Sequence, residues 1–151
     1  MGDIHIHDFY HDTARALVLL YSSFPRPITL YVDDVCGPDE PDEFGLPSPR
    51  FEAGFGAMLW LANEGFIRFD STIRQEALDQ AVLNERGFVL LASSYELAPK
   101  REPSTPPGLH HEQQTGAAWL RKALKTRDSA RLQETMLTLL GGNLAARLDE
   151  R

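Results

Sequence analysis

The stretch from Leu59 to Leu91 constrains the fold of this chain most, because its hydrophobic pattern changes period twice. It starts with apolar residues at helical spacing, which end at the glycine of ANEGF, and continues with two strand-like segments, FIRFD and AVL. It closes with NERGFVLL, in which Asn84 is a helix-capping residue before an apolar run. The stretch therefore predicts one supersecondary unit: a helix, a strand, a turn, a returning strand and a second helix.

The first predicted helix lies upstream, from Thr13 to Phe24. Asp12 is its expected N-cap, and apolar side chains recur at helical spacing behind it. Pro25 and Pro27 end the helix, because proline does not continue a helical hydrogen-bond ladder. From Ile28 to Val32, larger apolar residues alternate with Thr and Tyr, which predicts a short strand with one buried face.

A second strong helix signal begins at Ser48, which is followed by Pro49. A capping hydroxyl before a proline at the first helical position is a typical helix start, and Gly65 is a typical stop. These residues predict helix three over Pro49 to Glu64. Its expected buried stripe is Phe51, Phe55, Met58, Leu59 and Ala62.

Between the strand and helix three lies an acidic loop, residues 33–49. It holds four prolines, two glycines and six acidic residues without a basic one, so it accounts for −6 of the net charge of −7. This composition predicts an exposed segment with at most one helical turn. An acidic patch of this density repels phosphate and prefers basic protein surfaces or cations.

Length and composition indicate a soluble protein that needs no metal or disulfide to fold. The 151 residues suit one domain, or a smaller domain with an appendage. Cys36 is the only cysteine, which favours a reducing cytoplasm. The longest apolar run, about Ala16 to Tyr21, is far shorter than the roughly 20 residues of a membrane span, so we expect a cytoplasmic location without a membrane partner.

The C-terminal third predicts a separate helical unit. Residues 94–109 carry four prolines and indicate an extended linker. Glu112 to Lys125 and Ser129 to Leu140 both show helical periodicity; Asp128 is the expected cap of the second helix, and Gly141 with Gly142 is its expected end. A hairpin this small needs a partner surface, either the N-terminal domain or a second copy of the chain.

Over roughly Asp12 to Ser93 the chain resembles the winged-helix superfamily. The resemblance rests on helix three ending in ANEGF, on IRFD and AVL as strands of a wing, and on NERGFVLL as the closing helix. It implies an α+β fold with a small antiparallel sheet, in which helix three is the recognition helix. The departure is helix two, whose place is taken by the acidic loop. The predicted division is 1–93 winged-helix-like domain, 94–109 linker, 110–142 helical hairpin and 143–151 tail.

The outward face of helix three favours a protein partner over DNA. At about 100° per residue this face consists of Arg50, Ala53, Gly56, Ala57, Trp60 and Glu64. Small residues around one tryptophan suit a close-packed protein contact, unless Trp60 packs under the C-terminal hairpin instead. The predicted interaction residues are Ala53, Gly56, Ala57 and Trp60 on the helix, and Asp39, Glu40, Asp42 and Glu43 in the loop.

DNA binding is the alternative, with nucleic acid disfavoured by charge. It would use Arg50, Arg68 and Arg74 at helix three and the wing, although Asp70 and Glu76 offset them. The one basic concentration lies in the hairpin, where three interpretations stay open: phosphate contacts, pairing with an acidic protein surface, or a solvated helix face. Its residues are Arg121, Lys122, Lys125, Arg127 and Arg131.

A second alternative is metal binding through the N-terminal histidines. His7 and His11 lie one helical turn apart, while His5 and His7 would share one face of a strand, but neither spacing matches a specific metal motif. His110 and His111 form the other histidine pair.

Catalytic motifs are not recognisable in the sequence. The serines have no glycine-elbow context, and no glycine-rich loop is suited to phosphate. We therefore expect no enzyme activity and no cofactor. The favoured function is a regulatory or interaction module that binds protein partners and forms a homodimer, with Leu132, Met136 and Leu139 as hairpin core or dimer contacts.

Overall fold

The described residues, 3–95 and 114–149 of a computed structural model, comprise helices and a small antiparallel sheet, an α+β composition. The chain divides into two compact units, Met1–Phe88 and Val89–Arg151, so the boundary falls inside one helix. The elements are α1 (Ile4–Ser23), β1 (Ile28–Tyr31), α2 (Val32–Cys36), α3 (Pro49–Asn63), β2 (Ile67–Arg68), β3 (Ser71–Ile73), β4 (Ala77–Leu83), α4 (Glu85–Ala92), α5 (Gly116–Thr126) and α6 (Ser129–Asp149).

Helix α1 starts nine residues earlier than its sequence signals predict, at Ile4 instead of Thr13. The expected N-cap, Asp12, is wrong: it lies in the interior of the helix and is 1% exposed. Aspartate is normally unfavourable in the interior of a helix. Here its carboxylate is bound by Arg50 of α3, so a long-range ion pair overrides the local preference.

Strand β4 is the centre of the sheet. It lies between β1 and β2, and β3 pairs with it as well. The strand predicted over Phe66 to Asp70 is the shorter β2, and β3, which follows it in the chain, pairs with the same partner strand. A bulge interrupts the β1–β4 pairing between Ile28 and Leu30, and Gln80 opposite it has a positive φ of 56°.

A short helix, α2, follows β1 directly and occupies the start of the acidic loop. Val32 is its first residue and not the end of the strand, and Val32 and Val35 are buried. Helix α2 packs on α3 at Gly54, where an added Cβ would lie 2.9 Å from Cys36 Sγ. The acidic loop was expected to be exposed and to hold at most one helical turn. Its helix α2 is about that short, but the apolar side of α2 is part of the core.

Helix α3 keeps its predicted boundaries to within one residue. Ser48 Oγ accepts from the Phe51 N–H at 3.1 Å, Pro49 follows the cap, and Gly65 has a φ of 82° after the helix. The buried stripe is rotated relative to the prediction, because two helices, α1 and α2, pack on α3 and share its surface. Its buried residues are Phe51, Gly54, Ala57, Met58 and Leu61, whereas Phe55, Leu59 and Ala62 are half-buried.

The start of α4 is held by hydrogen bonds from Asn84 to carbonyl groups at the start of β2. The Asn84 N–H donates to Phe66 O at 2.9 Å, and its side-chain amide donates to Ile67 O at 3.2 Å. The Asn84 side-chain oxygen accepts from Arg68. Asn84 therefore ties β2 to α4 by more than the capping role that the sequence predicts.

The second unit contains α5 and α6, joined at Arg127 and Asp128. Thr115 caps α5, the left-handed Arg127 ends it, and Asp128 Oδ1 accepts from the Arg131 N–H at 3.1 Å, as a capping residue does. The predicted end of α6 at Gly141 and Gly142 is wrong, since the helix continues to Asp149. The predicted start at Glu112 and most of the linker, 96–109, lie outside the described residues. Buried here are Leu120, Ala123, Leu132, Met136 and Leu139.

Within the described ranges, no helix is both long enough and apolar enough to cross a bilayer.

Candidate functional site

An apolar groove lies between the first turns of α1 and the outward side of α3. It encloses about 280 Å³ and is open to solvent. Ile6 on its α1 wall is 40% exposed. Exposed apolar side chains that line a concave surface mark a binding face more often than scattered ones do. The groove is lined by His5, Ile6, Phe9, Ala53, Gly56, Ala57 and Trp60.

The α3 wall of the groove is fixed by aromatic packing. The Trp60 ring meets Phe9 edge to face at a centroid distance of 4.9 Å and an interplanar angle of 85°. Phe66 stacks near the same indole at 6.1 Å. Both ring partners belong to the first unit, so the half-buried Trp60 is anchored there and presents its remaining surface to the groove.

Gly56 separates this groove from a second depression on the other side of α3. The second depression measures about 310 Å³. A Cβ added at Gly56 would meet nothing within 4 Å, so the helix backbone itself is exposed at this point. A partner main chain can approach closely where no side chain intervenes. The second depression is lined by Pro47, Phe51, Glu52, Phe55, Gly56, Leu59 and Gln75.

The predicted contact residues on helix three meet at this groove, with one difference. Ala53 and Gly56 are exposed and Trp60 is half-buried, whereas Ala57 is only 4% exposed and forms the floor. Sequence reasoning missed the α1 wall, because residues before Asp12 were not expected to be helical. The signal that identifies it is the spacing of Ile6, Phe9, Thr13 and Leu17, which continues the helical pattern towards the N-terminus.

The predicted acidic patch lies apart from the groove and is an ordered turn. Asp42 Oδ1 accepts from the N–H groups of Phe44 and Leu46, both at 2.9 Å. Asp39 Oδ1 accepts from the Ser48 hydroxyl at 2.6 Å, while Glu40 and Glu43 are exposed. This turn holds Phe44 at its tip with 79% of its surface exposed.

Arg50 is bound within the chain and does not project as a free cation. Its Nη1 and Nη2 donate to the two carboxylate oxygens of Asp12, each at 2.7 Å, and Nε lies 3.5 Å from Asp8. The hydrogen bonds to Asp12 are the largest cause of a raised pKa for Arg50. His11 Nδ1 also lies 3.0 Å from Asp12. The guanidinium of Arg50 therefore joins α3 to α1, and its contact with DNA stays a prediction.

The other basic residues considered for DNA are divided between the two units. Arg68 Nη1 donates to Asn84 at 3.2 Å, and Arg74 lies exposed at the β3–β4 turn. The five basic residues predicted as a cluster in the second unit are all exposed: Arg121, Lys122, Lys125, Arg127 and Arg131. Exposure alone leaves their three interpretations open.

Charge is distributed unequally between the units. Met1–Phe88 holds fifteen acidic and six basic residues, a net −9, whereas Val89–Arg151 holds seven acidic and nine basic residues, a net +2. Four of the six arginines in the first unit have partners within that unit: Arg15, Arg50, Arg68 and Arg86. The surface around α3 is thus unfavourable for a phosphate backbone.

The described residues contain no group of three or more His, Cys, Asp or Glu side chains able to hold a metal ion. His5 and His7 are exposed on α1, and the pair His110 and His111 lies outside the described residues. Cys36 is half-buried at the end of α2, and burial is the main cause that raises its pKa, while Arg50 lowers it. The thiol is therefore protonated at neutral pH and is a poor nucleophile.

Comparison of the chain with protein-family models, curated proteins and solved structures finds no match.

Proposed function

We propose that this protein is a non-enzymatic interaction module on a winged-helix scaffold, and that the groove between α1 and α3 binds a protein partner. The scaffold is supported by the succession of α1, β1, α2 and α3, followed by β2, β3 and β4, of which β4 pairs with β1. The short α2 occupies the position that the resemblance reserves for helix two.

The observation that carries the proposal is the exposed apolar lining of the groove in a strongly acidic unit. The wall residue Ile6 is 40% exposed, and apolar surface left in solvent is unfavourable unless a partner covers it. The same unit has a net charge of −9, and Arg50 beside the groove is neutralised by Asp12. Protein fits such a surface better than nucleic acid does.

Self-association is a second part of the proposal and uses a different surface. Phe44 is 79% exposed and Leu46 is 59% exposed, and Asp42 fixes the turn that carries both. A homodimer that buries these tips is expected to dissociate when both are replaced by serine. Light scattering of the Phe44→Ser/Leu46→Ser variant tests this, and an unchanged dimer would place the contact elsewhere.

The test of the groove is site-specific photo-crosslinking in the native cell. A photoreactive amino acid replaces Gly56 in one variant and Thr72, exposed on β3, in a matched control. We expect position 56 to give an adduct that protease removes and nuclease leaves intact, and position 72 to give much less. A nuclease-sensitive adduct at position 56, or no adduct there, would contradict the proposal.

A further inference from the structure

Two acidic residues mark the ends of the exposed face of α3. Glu52 and Glu64 are both exposed, and Gly56 and Trp60 lie between them at steps of four residues. Twelve residues of helix correspond to about 18 Å. The apolar part of this face is therefore bounded by a negative charge at each end, at a separation that a partner helix of about three turns can span.

The opposite wall of the groove adds negative charge. Asp3 directly precedes α1 and is exposed, and Asp8 lies in the second turn of the helix. Asp8 lies 3.5 Å from Arg50, but that guanidinium is already bound bidentately by Asp12. Asp8, Asp12 and Arg50 together carry one net negative charge. The rim of the groove as a whole therefore attracts cationic side chains.

The interior of the face suits two apolar side chains. The depressions on either side of Gly56 measure about 280 Å³ and 310 Å³, and each is large enough for an aliphatic or aromatic side chain. The bare backbone at Gly56 allows a partner helix to lie between them at short distance. Aromatic walls at Phe9 and Trp60 supply contact area without a loss of side-chain freedom, because they already pack on each other.

We propose that the groove binds a basic amphipathic helix of another protein, with apolar side chains on both sides of Gly56 and a lysine or arginine near each of Glu52 and Glu64. This inference rests on the proposed function and adds the chemistry of the partner. In helix-in-groove binding of this kind, the partner helix places apolar anchor residues at helical spacing into the groove. Charge complementarity at the two ends sets the register of the bound helix.

Helix α5 of a second copy does not supply such a helix. Helix α5 is basic on its exposed side, but its apolar residues Leu120 and Ala123 are 0% and 1% exposed. They would have to leave their own core to enter the groove of another copy. The partner helix therefore belongs to a different protein.

Three labelled synthetic helices test the inference by fluorescence anisotropy with the full chain. The first has a leucine stripe and two lysines eleven residues apart, which is about 17 Å along a helix. The second keeps the leucines and replaces the lysines by glutamates, and the third keeps the lysines and replaces the leucines by serines. We expect the first to bind at least about tenfold more tightly than either of the others.

Two charge-reversal variants locate the binding. Glu52→Lys/Glu64→Lys should weaken binding of the basic helix by about tenfold and improve binding of the acidic one. The matched control, Glu40→Lys/Glu43→Lys, changes the net charge equally in the acidic loop and should have a clearly smaller effect. Equal effects of the two variants, or equal binding of the basic and acidic helices, would overturn the inference.

The two proposals fail differently. If no synthetic helix binds while a photoreactive group at position 56 still captures protein in cells, the partner chemistry is wrong and the groove remains a protein-binding site. If position 56 captures no protein, both proposals are wrong.

Discussion

Asp12 and Arg50 lie 38 residues apart in the sequence and connect α1 to α3 through a partly buried ion pair. Asp12 is 1% exposed, whereas the Arg50 side chain is 36% exposed. A carboxylate taken out of water costs several kcal/mol unless a cation and hydrogen bonds replace the solvent. The bidentate pair provides both, so its loss should be felt in stability.

We expect Arg50→Ala to lower the free energy of unfolding by about 3 kcal/mol, because it leaves the Asp12 carboxylate buried without its cation. Asp12→Ala should cost less, about 2 kcal/mol, since Arg50 reaches solvent and Asp8. The double variant should cost less than the sum, because the two residues act as a pair. Urea unfolding measures all three, with Arg15→Ala as an exposed control; additive effects would contradict the pairing.

Gly54 and Gly56 lie on the same helix and should respond oppositely to alanine. Gly56 faces open space, so Gly56→Ala should stabilise the protein by about 1 kcal/mol through better helix propensity. At Gly54 a Cβ would lie 2.9 Å from Cys36 Sγ and 3.2 Å from Val32 Cγ1, so Gly54→Ala should destabilise through overpacking. Thermal melting of the two variants checks this, and shifts of the same sign would show that the α2–α3 contact is looser than described.

At the scale of elements, the β3–β4 turn carries backbone strain. The Glu76 N–H donates to Ile73 O at 2.7 Å, and the central residues Arg74 and Gln75 have φ values of 50° and 60°. Two positive φ values in succession are the signature of a type I′ turn, which prefers Asn-Gly. Residues other than glycine or asparagine reduce stability by about 1 kcal/mol each at such positions.

Arg74→Asn/Gln75→Gly should therefore raise the free energy of unfolding by about 1 kcal/mol. Gln75→Val should lower it, because a β-branched residue is strained at positive φ. The melting temperatures of both variants test the turn conformation. A lower melting temperature for the Asn-Gly variant would be incompatible with a left-handed pair at this position.

Elements whose ends are set by local chemistry were predictable from sequence, and those set by distant contacts were not. Ser48, Pro49 and Gly65 place α3 to within one residue, because a cap, a proline and a glycine act on their own neighbours. Helix α1 lacks such a start signal, since its N-cap Asp3 makes no side-chain hydrogen bond. Its early turns depend on packing against α3, which a pattern of single residues does not reveal.

The same distinction divides the groove. Its α3 side was predictable, because small residues around Trp60 follow directly from helical spacing. Its α1 side was not, because Ile6 and Phe9 become part of the wall only when α1 packs on α3. Arg50 shows the reverse case: its position on α3 was correct, but only the fold reveals that Asp12 binds it.

For the whole molecule, the unequal charge of the two units leads to different expected responses to salt. The first unit carries −9 and the second +2, so self-repulsion is concentrated in the first. Salt screens such repulsion, with a Debye length that falls from about 10 Å at 0.1 M to about 3 Å at 1 M. The first unit should therefore gain stability on addition of sodium chloride, and the second should change little.

The two tryptophans allow this to be measured, because Trp60 lies in the first unit and Trp119 in the second. In a Trp119→Phe variant, the unfolding midpoint reported by Trp60 should rise between about 0.05 and 0.5 M salt. In a Trp60→Phe variant, the midpoint reported by Trp119 should rise less. Glu40→Lys/Glu43→Lys makes the net charge of the first unit less negative and should therefore reduce the rise of its unfolding midpoint with salt. Identical salt responses at the two tryptophans would mean that stability is set by the chain as one cooperative unit and not by the charge of each part.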